Sequence, residues 1–284
     1  MPIDAVRLIR KMRGGAQAHL FEASDGNFYV VKFRNNPQHR RILVNEWIGS
    51  VFLSYLGIST PEAAIVRISE DFLERNREVY IQLGSGRRAI ETGWHFGSRF
   101  PGDPARNVVY DFLPDSLLDK VENLGDFLGV LVFDKWMGNA DSRQAVFFRA
   151  RVKEWLPGSS AHPLRLGFVA HMIDNGYVFE GPHWQLKDSP LQGLYFRTQV
   201  YREVRGLLNF EPWISRIANF PEEVVDQALK QIPPAWLEGD EGELSSILER
   251  LLARGRRVAD LLEASRSARE NPFPNWREIG LGRG

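Results

Sequence analysis

Asn27-Phe28-Tyr29-Val30-Val31-Lys32-Phe33 is a run of β-forming residues with one cation near its end. Asp25-Gly26 precedes it as a hairpin turn. An ammonium placed among Val30, Val31 and Phe33 is costly to bury without a partner. Either its stem is covered while its tip reaches water, or an acid elsewhere in the chain meets it. Glu46 lies fourteen positions later, where Ile42, Val44, Trp47, Ile48, Val51, Phe52 and Tyr55 recur at helical spacing. That helix runs from Arg41 to Leu56, and Gly57 ends it. Alone, Glu46 reads equally as a solvent-facing acid on an amphipathic helix; the joint pattern with Lys32 singles it out.

Working outward, Ala5 to Ile9 and His19 to Ala23 carry strand signals around Gly14-Gly15-Ala16-Gln17-Ala18. This turn is either a tight hairpin or a loop whose amides approach an anion, since glycine permits the dihedrals. Strands are expected at Ala63–Ile68 and Glu78–Leu83, and residues 84–107, rich in Gly, Arg and aromatics, read as a long loop. Residues 115–136 return to helical spacing, with Asp115 or Ser116 as the cap. Gln144 to Trp155 and Leu164 to Ile173 read as strands. Gln199 to Leu262 is mainly helical with interruptions at Pro221 and Pro233-Pro234, and Asn271 to Trp276 is extended and on the surface. The shift near residues 108–115 divides the chain into a β-rich part (1–110), a helical part (111–270) and a tail (271–284).

Two further acids sit at junctions. Asp141 lies in Met137-Gly138-Asn139-Ala140-Asp141-Ser142-Arg143-Gln144, a polar segment after an apolar helix and before an apolar strand. Asp174 closes a strand in His171-Met172-Ile173-Asp174-Asn175-Gly176. Phosphoryl transfer needs a cation on the nucleotide phosphates, an acid to hold it, a metal-binding carboxylate, and another to orient the attacking hydroxyl. Lys32, Glu46, Asp174 and Asp141 supply those four. Arg143 could neutralise phosphate charge, Gln144 offers a neutral oxygen to metal, and Gly14 and Gly15 could face phosphates. The expectation is an ATP- and Mg²⁺-dependent phosphotransferase. The competing readings are turns: side-chain-bonded ones at Asn139 and Asp141, and an Asp-initiated one at Asp174.

Composition narrows the field. The 284 residues are 43% hydrophobic and 25% charged, enough for a sizeable core. Lys+Arg and Asp+Glu are both 36, so no polyanion-binding character, and hence no direct nucleic-acid partner, is expected. The absence of cysteine removes disulfides, thiol nucleophiles and cysteine-ligated metals. The six histidines show no HxxxH or HExxH spacing. With neither a signal-like segment nor an apolar run of membrane-spanning length, a soluble cytoplasmic protein without a membrane partner is expected.

The chain resembles the HipA-like kinases. The resemblance runs through Arg13-Gly14-Gly15, Val30-Val31-Lys32-Phe33, Asn45-Glu46, His95-Phe96-Gly97-Ser98, Asp134 to Asp141, and Ile173-Asp174-Asn175-Gly176. It covers residues 5–180. It implies an α+β, two-lobe protein-kinase-like fold with a small β-rich N-lobe and a larger helical C-lobe. It also implies an ATP- and magnesium-dependent serine/threonine kinase acting on a protein substrate. By the resemblance, Lys32 holds phosphates, Asp141 is the catalytic aspartate and Asp174 the metal ligand. Some relatives are toxins paired with a DNA-binding antitoxin, so an antitoxin-like partner is an expectation carried by the resemblance alone. The chain departs from the family pattern at two positions. Where the family has His two residues after the catalytic Asp and a metal-binding Asn five after it, this chain has Arg143 and Val146. A pseudokinase that keeps the fold without turnover is therefore the runner-up. A small-molecule kinase, with Trp94, His95 and Phe96 flooring a pocket, ranks third.

Overall fold

The computed structural model describes residues 3–267 and 271–277. In chain order its first part carries β1 (Ile3–Lys11), β2 (His19–Ala23), β3 (Phe28–Lys32), α1 (Arg41–Tyr55), β4 (Ala63–Ile68), α2 (Glu70–Arg75), β5 (Tyr80–Leu83), β6 (Gly86–Ala89) and β7 (Gly93–Arg99). The strands β1-β2-β3-β7-β4 form a closed barrel, completed by parallel pairing of β4 with β1. Two register shifts in β1, between Ala5 and Arg7 and between Leu8 and Arg10, supply the local twist that closure needs. Side-chain alternation sets what faces where. Tyr29, Val31 and Phe33 point into the barrel core with Phe21, Val66 and Ile68, which leaves Lys32 on the outer face.

The stretch 84–107 is not the loop that its composition suggests. It contains β6 and, in the barrel wall, β7, which pairs with both β3 and β4. Two positions of β7, opposite Val66 and Val31, are His95 and Gly97, so no apolar alternation marks the strand. Gly97 is required by space: a Cβ there would lie 2.6 Å from Val66 Cγ2.

The second part begins with β8 (Val109–Tyr110), α3 (Asp115–Leu118), α4 (Asp126–Met137), β9 (Gln144–Arg151), α5 (Val152–Trp155) and β10 (Leu166–Ile173). A three-stranded sheet runs β10-β9-β8. The helix expected over 115–136 is broken. Between α3 and α4 the chain pairs with the free edge of β10, where Glu122 N–H donates to Phe168 O (2.9 Å) and Asn123 exchanges two bonds with Ala170. Pro114, not Asp115 or Ser116, takes the cap position of α3, with no side-chain cap bond. The strand expected to Trp155 ends at Arg151, and the one from Leu164 starts at Leu166.

Beyond β10 come α6 (Trp213–Ala218), α7 (Glu222–Lys230), α8 (Pro234–Leu237), α9 (Glu241–Arg254) and α10 (Val258–Ala264), broken at the prolines as their chemistry requires. The tail runs over the surface but is anchored there by two buried residues, Pro272 and Phe273. Phe273 is fully buried, with its ring 5.7 Å from Tyr201 and 5.6 Å from Phe210. Residues 278–284 of that tail lie outside the described residues.

The larger core packs α1 chiefly against the helices, with the outer face of the barrel at its margin. Val44, Ile48 and Phe52 pack with Phe133, Trp136 and Phe220, and Phe52 stacks on Trp136 at 5.7 Å. The outer face of β7 contributes Phe96 to the same cluster. α1 thus belongs by sequence to the β-rich part and by packing to the helical one.

Candidate active site

Lys32, on the outer face of β3, meets two carboxylates from distant parts of the chain. Its Nζ ion-pairs with Glu46 of α1 and, at 2.8 Å, with Asp174 Oδ1 at the end of β10. Only 13% of the Lys32 side chain and 4% of that of Glu46 is exposed, against 31% for Asp174, so the open side of the cluster lies at Asp174. Burial disfavours the Lys32 ammonium, but Glu46 and Asp174 outweigh it and raise its pKa. Asp174 is held below the usual carboxylate range by the Lys32 cation, against burial. Burial pushes Glu46 up, with Lys32 opposing.

The other oxygen of Glu46 accepts from Asn175 N–H (3.0 Å), so Glu46 holds both the lysine and the residue after Asp174. Gln144, first residue of β9, donates from Nε2 to Asp174 Oδ2 at 3.0 Å. Asp174 adopts φ +63°, a left-handed backbone that costs a non-glycine residue about 1–2 kcal/mol. Both flanks are tied down, by Arg143 at Ile173 O (2.7 Å) and by Glu46 at Asn175.

Asp141 is exposed on the loop between α4 and β9. Gly138, at φ +62°, ends α4. Asn139 is buried; its Oδ1 accepts from Asp141 N–H (3.2 Å) and its Nδ2 donates to Asp134 Oδ1 (2.9 Å). The loop is thereby hung from α4, with the Asp141 carboxylate facing out and accepting from Ser142 N–H at 2.8 Å.

Arg143 does not occupy the position expected of it. Rather than presenting its guanidinium to a phosphate, it is buried and pairs through two nitrogens with the equally buried Asp134, one contact being Nε to Oδ2 at 2.8 Å. A third nitrogen donates to Ile173 O and to Asn175 Oδ1 (3.0 Å). Burial pushes the Asp134 carboxyl up, opposed by the two-pronged guanidinium and the Asn139 donor. Burial likewise opposes the Arg143 charge, and Asp134 outweighs it. The physical reason for the correction is direction: Arg143 starts the chain toward β9 and points inward, toward the end of α4.

Gly14 and Gly15 form the β1–β2 turn, in which Gln17 N–H donates to Gly14 O at 3.1 Å. Gln17 also bonds Gln82 of the β5–β6 hairpin. Among the described residues no hydrogen bond joins either glycine to Lys32, Glu46, Asp141 or Asp174. Val146, at the position of the family's metal-binding Asn, lies within β9 opposite His171 and offers no ligand atom.

Residues given no role from sequence complete the site. Asn45, buried beside Glu46, donates to the carbonyls of Gly176 (2.7 Å), Val178 (3.0 Å) and Gly181 (2.9 Å), and accepts from Trp184 Nε1 (2.9 Å). Gly49, one turn further on, lets Asn175 approach; a Cβ there would lie 2.6 Å from that residue's own Cβ. Asn45 and Asp134 carried a legible signal, a polar residue inside an otherwise apolar stretch of helix. Gly49 and Asn175 carried none, because their roles depend on a contact across 126 positions.

With a cation held by two acids, an exposed carboxylate on an adjoining loop, and Gln144 beside Asp174, the arrangement can engage an anionic ligand and a divalent ion. Among the described residues no three His, Cys, Asp or Glu side chains gather to hold a metal. The family model described as HipA-like kinase matches residues 5–147. Among solved structures, the hydra Fam20 determined with sugar matches with a TM-score of 0.53 and 14% identity, over 95% of this chain and 88% of that one. The Golgi casein kinase with Mn/ADP bound matches at 0.47 and 12% identity, over 93% and 72%. No curated protein matches the chain. The likeness to the hydra structure is one of fold, and with the barrel order and the family match it makes this a protein-kinase-like fold. Among the described residues, no helix is long and apolar enough to cross a membrane.

Proposed function

Because this chain belongs to the HipA-like kinase family, we propose that it transfers the γ-phosphoryl group of ATP, with Mg²⁺, to a serine or threonine hydroxyl of a protein substrate. The observation that carries this is the position of Lys32 Nζ between Glu46 and Asp174. It joins barrel, α1 and β10 at one point, and its most exposed member is Asp174.

In this reading Lys32, kept charged and aimed by Glu46, contacts the nucleotide phosphates. Asp141 accepts the hydrogen bond of the acceptor hydroxyl and orients it for in-line attack. Asp174 and Gln144 are the residues that would hold the metal ion. Mg²⁺ takes one or two carboxylates and completes its shell with phosphate oxygens and water, so one carboxylate and one amide oxygen fit when a nucleotide is present. The Gln144 amide, turned over, presents Oε1 in place of Nε2. Bound there, the ion would neutralise charge on the phosphates. Arg143 acts by positioning, since it fixes Ile173 and Asn175 on either side of Asp174.

One observation favours a second reading, a pseudokinase that binds nucleotide without turnover. Val146 removes a ligand that the family pattern supplies, and Asn139 and Asn175 are both committed inside the protein. Calorimetric titration of ATP with and without Mg²⁺, on wild type and Asp174→Ala, separates the two. Binding that Mg²⁺ strengthens and Asp174→Ala weakens supports the kinase. Binding indifferent to Mg²⁺ supports the pseudokinase, and absence of binding rejects both.

A further inference from the structure

A cavity of about 790 Å³ lies apart from the Lys32 cluster, between the end of the barrel at Glu62 and Arg99 and the β9–β10 sheet at His171. Neither Lys32, Glu46, Asp141, Gln144 nor Asp174 lines it. Two of its groups are unusual. His171 is 4% exposed, and its Nδ1, fully buried, has no hydrogen-bond partner. A buried polar atom left unpaired is destabilising unless something meets it. Asp126 is half-buried and pairs with no cation among the described residues. Its Oδ2 accepts from Ser59 N–H (2.9 Å) and Asn123 Nδ2 (2.8 Å). The carboxylates of Glu62 and Glu122, by contrast, are neutralised by Arg99 (2.8 Å) and Arg165 (2.7 Å). Trp155, 5.2 Å from the imidazole, and Trp213 add aromatic wall.

A carboxylate with two hydrogen-bond donors but no cation, a wall imidazole with no hydrogen-bond partner and indole rings in one cavity suit a ligand that is cationic, donates N–H, and presents alkyl surface to an aromatic ring. Burial holds the His171 pKa near 4, so the ring is neutral at pH 7 and free to accept. A quaternary ammonium has no N–H to give, and a polyol has no charge for Asp126. We propose that this cavity binds the primary ammonium of a small organic di- or polyamine, with Asp126 and His171 as acceptors. The inference does not rest on the kinase reading.

The test is calorimetric titration of the full chain with putrescine, with tetramethylammonium and glycerol as comparison ligands. Saturable putrescine binding is expected, weakened about tenfold or more by Asp126→Asn and by His171→Phe, each of which removes one acceptor. Lys32→Met is expected to leave it unchanged, which separates this site from the nucleotide reading. The proposal is overturned by absence of putrescine binding, by binding that both variants leave intact, or by equal binding of tetramethylammonium or glycerol. If Asp126→Asn does not fold, His171→Phe decides alone.

Discussion

Replacing Arg143 by methionine tests whether the site is hung from α4 by a buried ion pair. Neither Arg143 nor Asp134 exposes any of its side chain, and the guanidinium also bonds Ile173 O and Asn175 Oδ1. Methionine fills similar volume but leaves the Asp134 carboxylate buried without a cation. Breaking one side of such a pair destabilises by about 3–5 kcal/mol, a large share of the about 5–15 kcal/mol that holds a typical domain. The defect has a pH signature. Burial already raises the Asp134 pKa, and removing the opposing guanidinium raises it further. A carboxyl whose folded pKa lies above its unfolded value favours the folded state once protonated. The variant therefore recovers stability as pH falls through that raised pKa, and loses it as pH rises.

Urea denaturation at pH 7 and pH 5 measures both effects. The double variant Asp134→Leu/Arg143→Met, with no stranded charge, is expected to regain much of the loss, giving a coupling of about 2 kcal/mol or more. A single variant within about 1 kcal/mol of wild type, as for an exposed pair, or a coupling near zero, would refute the reasoning.

Four other outcomes are expected. Gly193→Ala should cost about 2–4 kcal/mol in urea denaturation, because its Cβ would lie 2.0 Å from that of Asp134 at φ +68°. Asn45→Ala strands three buried carbonyls and the Trp184 indole, so a loss of about 2–4 kcal/mol should appear in the same assay. Phe273→Ala should cost about 3–5 kcal/mol, against almost nothing if its ring lay on the surface. Burial depresses His171 to about 4 and His95 to about 3, so each favours the folded state above pH 6.5 and destabilises it as pH falls. The stability slope below pH 6.5 should steepen by about 1.4 kcal/mol per pH unit per histidine, down to each folded pKa, and His171→Phe should remove one such increment.

The strand ending at Lys32, helix α1 and the strands around Asp141 and Asp174 were legible in the sequence because each is a local pattern, period two or period 3.6, with a turn at its end. β7 was not legible. Its inward positions are a histidine and a glycine, chosen by what already fills the barrel, and the apolar period therefore vanishes. The break between α3 and α4 was hidden for the opposite reason. Leu117, Leu118, Val121 and Leu124 keep helical spacing, yet the free edge of β10 takes the Glu122 backbone N–H and the Asn123 side chain. Arg143 shows the limit at the site itself. Its neighbours announce a polar loop, but whether a guanidinium points out to a phosphate or in to Asp134 depends on a partner nine residues back, across the end of a helix.

α1 explains why the pieces of the site arrive together. Its apolar residues are locked into the helical core through Val44, Ile48 and Phe52. Asn45, Glu46 and Gly49 all address residues 174–181, by three hydrogen bonds, by one hydrogen bond and by close approach respectively. Only Glu46 also reaches the barrel, through Lys32. The position of Lys32 over Asp174 is therefore set less by the barrel than by a helix whose register both sides share. A shift of α1 by one residue, about 1.5 Å along its axis and 100° around it, would break these contacts at once. The site should accordingly assemble or fail as a unit, which is why Asn45, whose bonds go only to backbone carbonyls and an indole, is expected to matter as much to folding as the charged pair it sits beside.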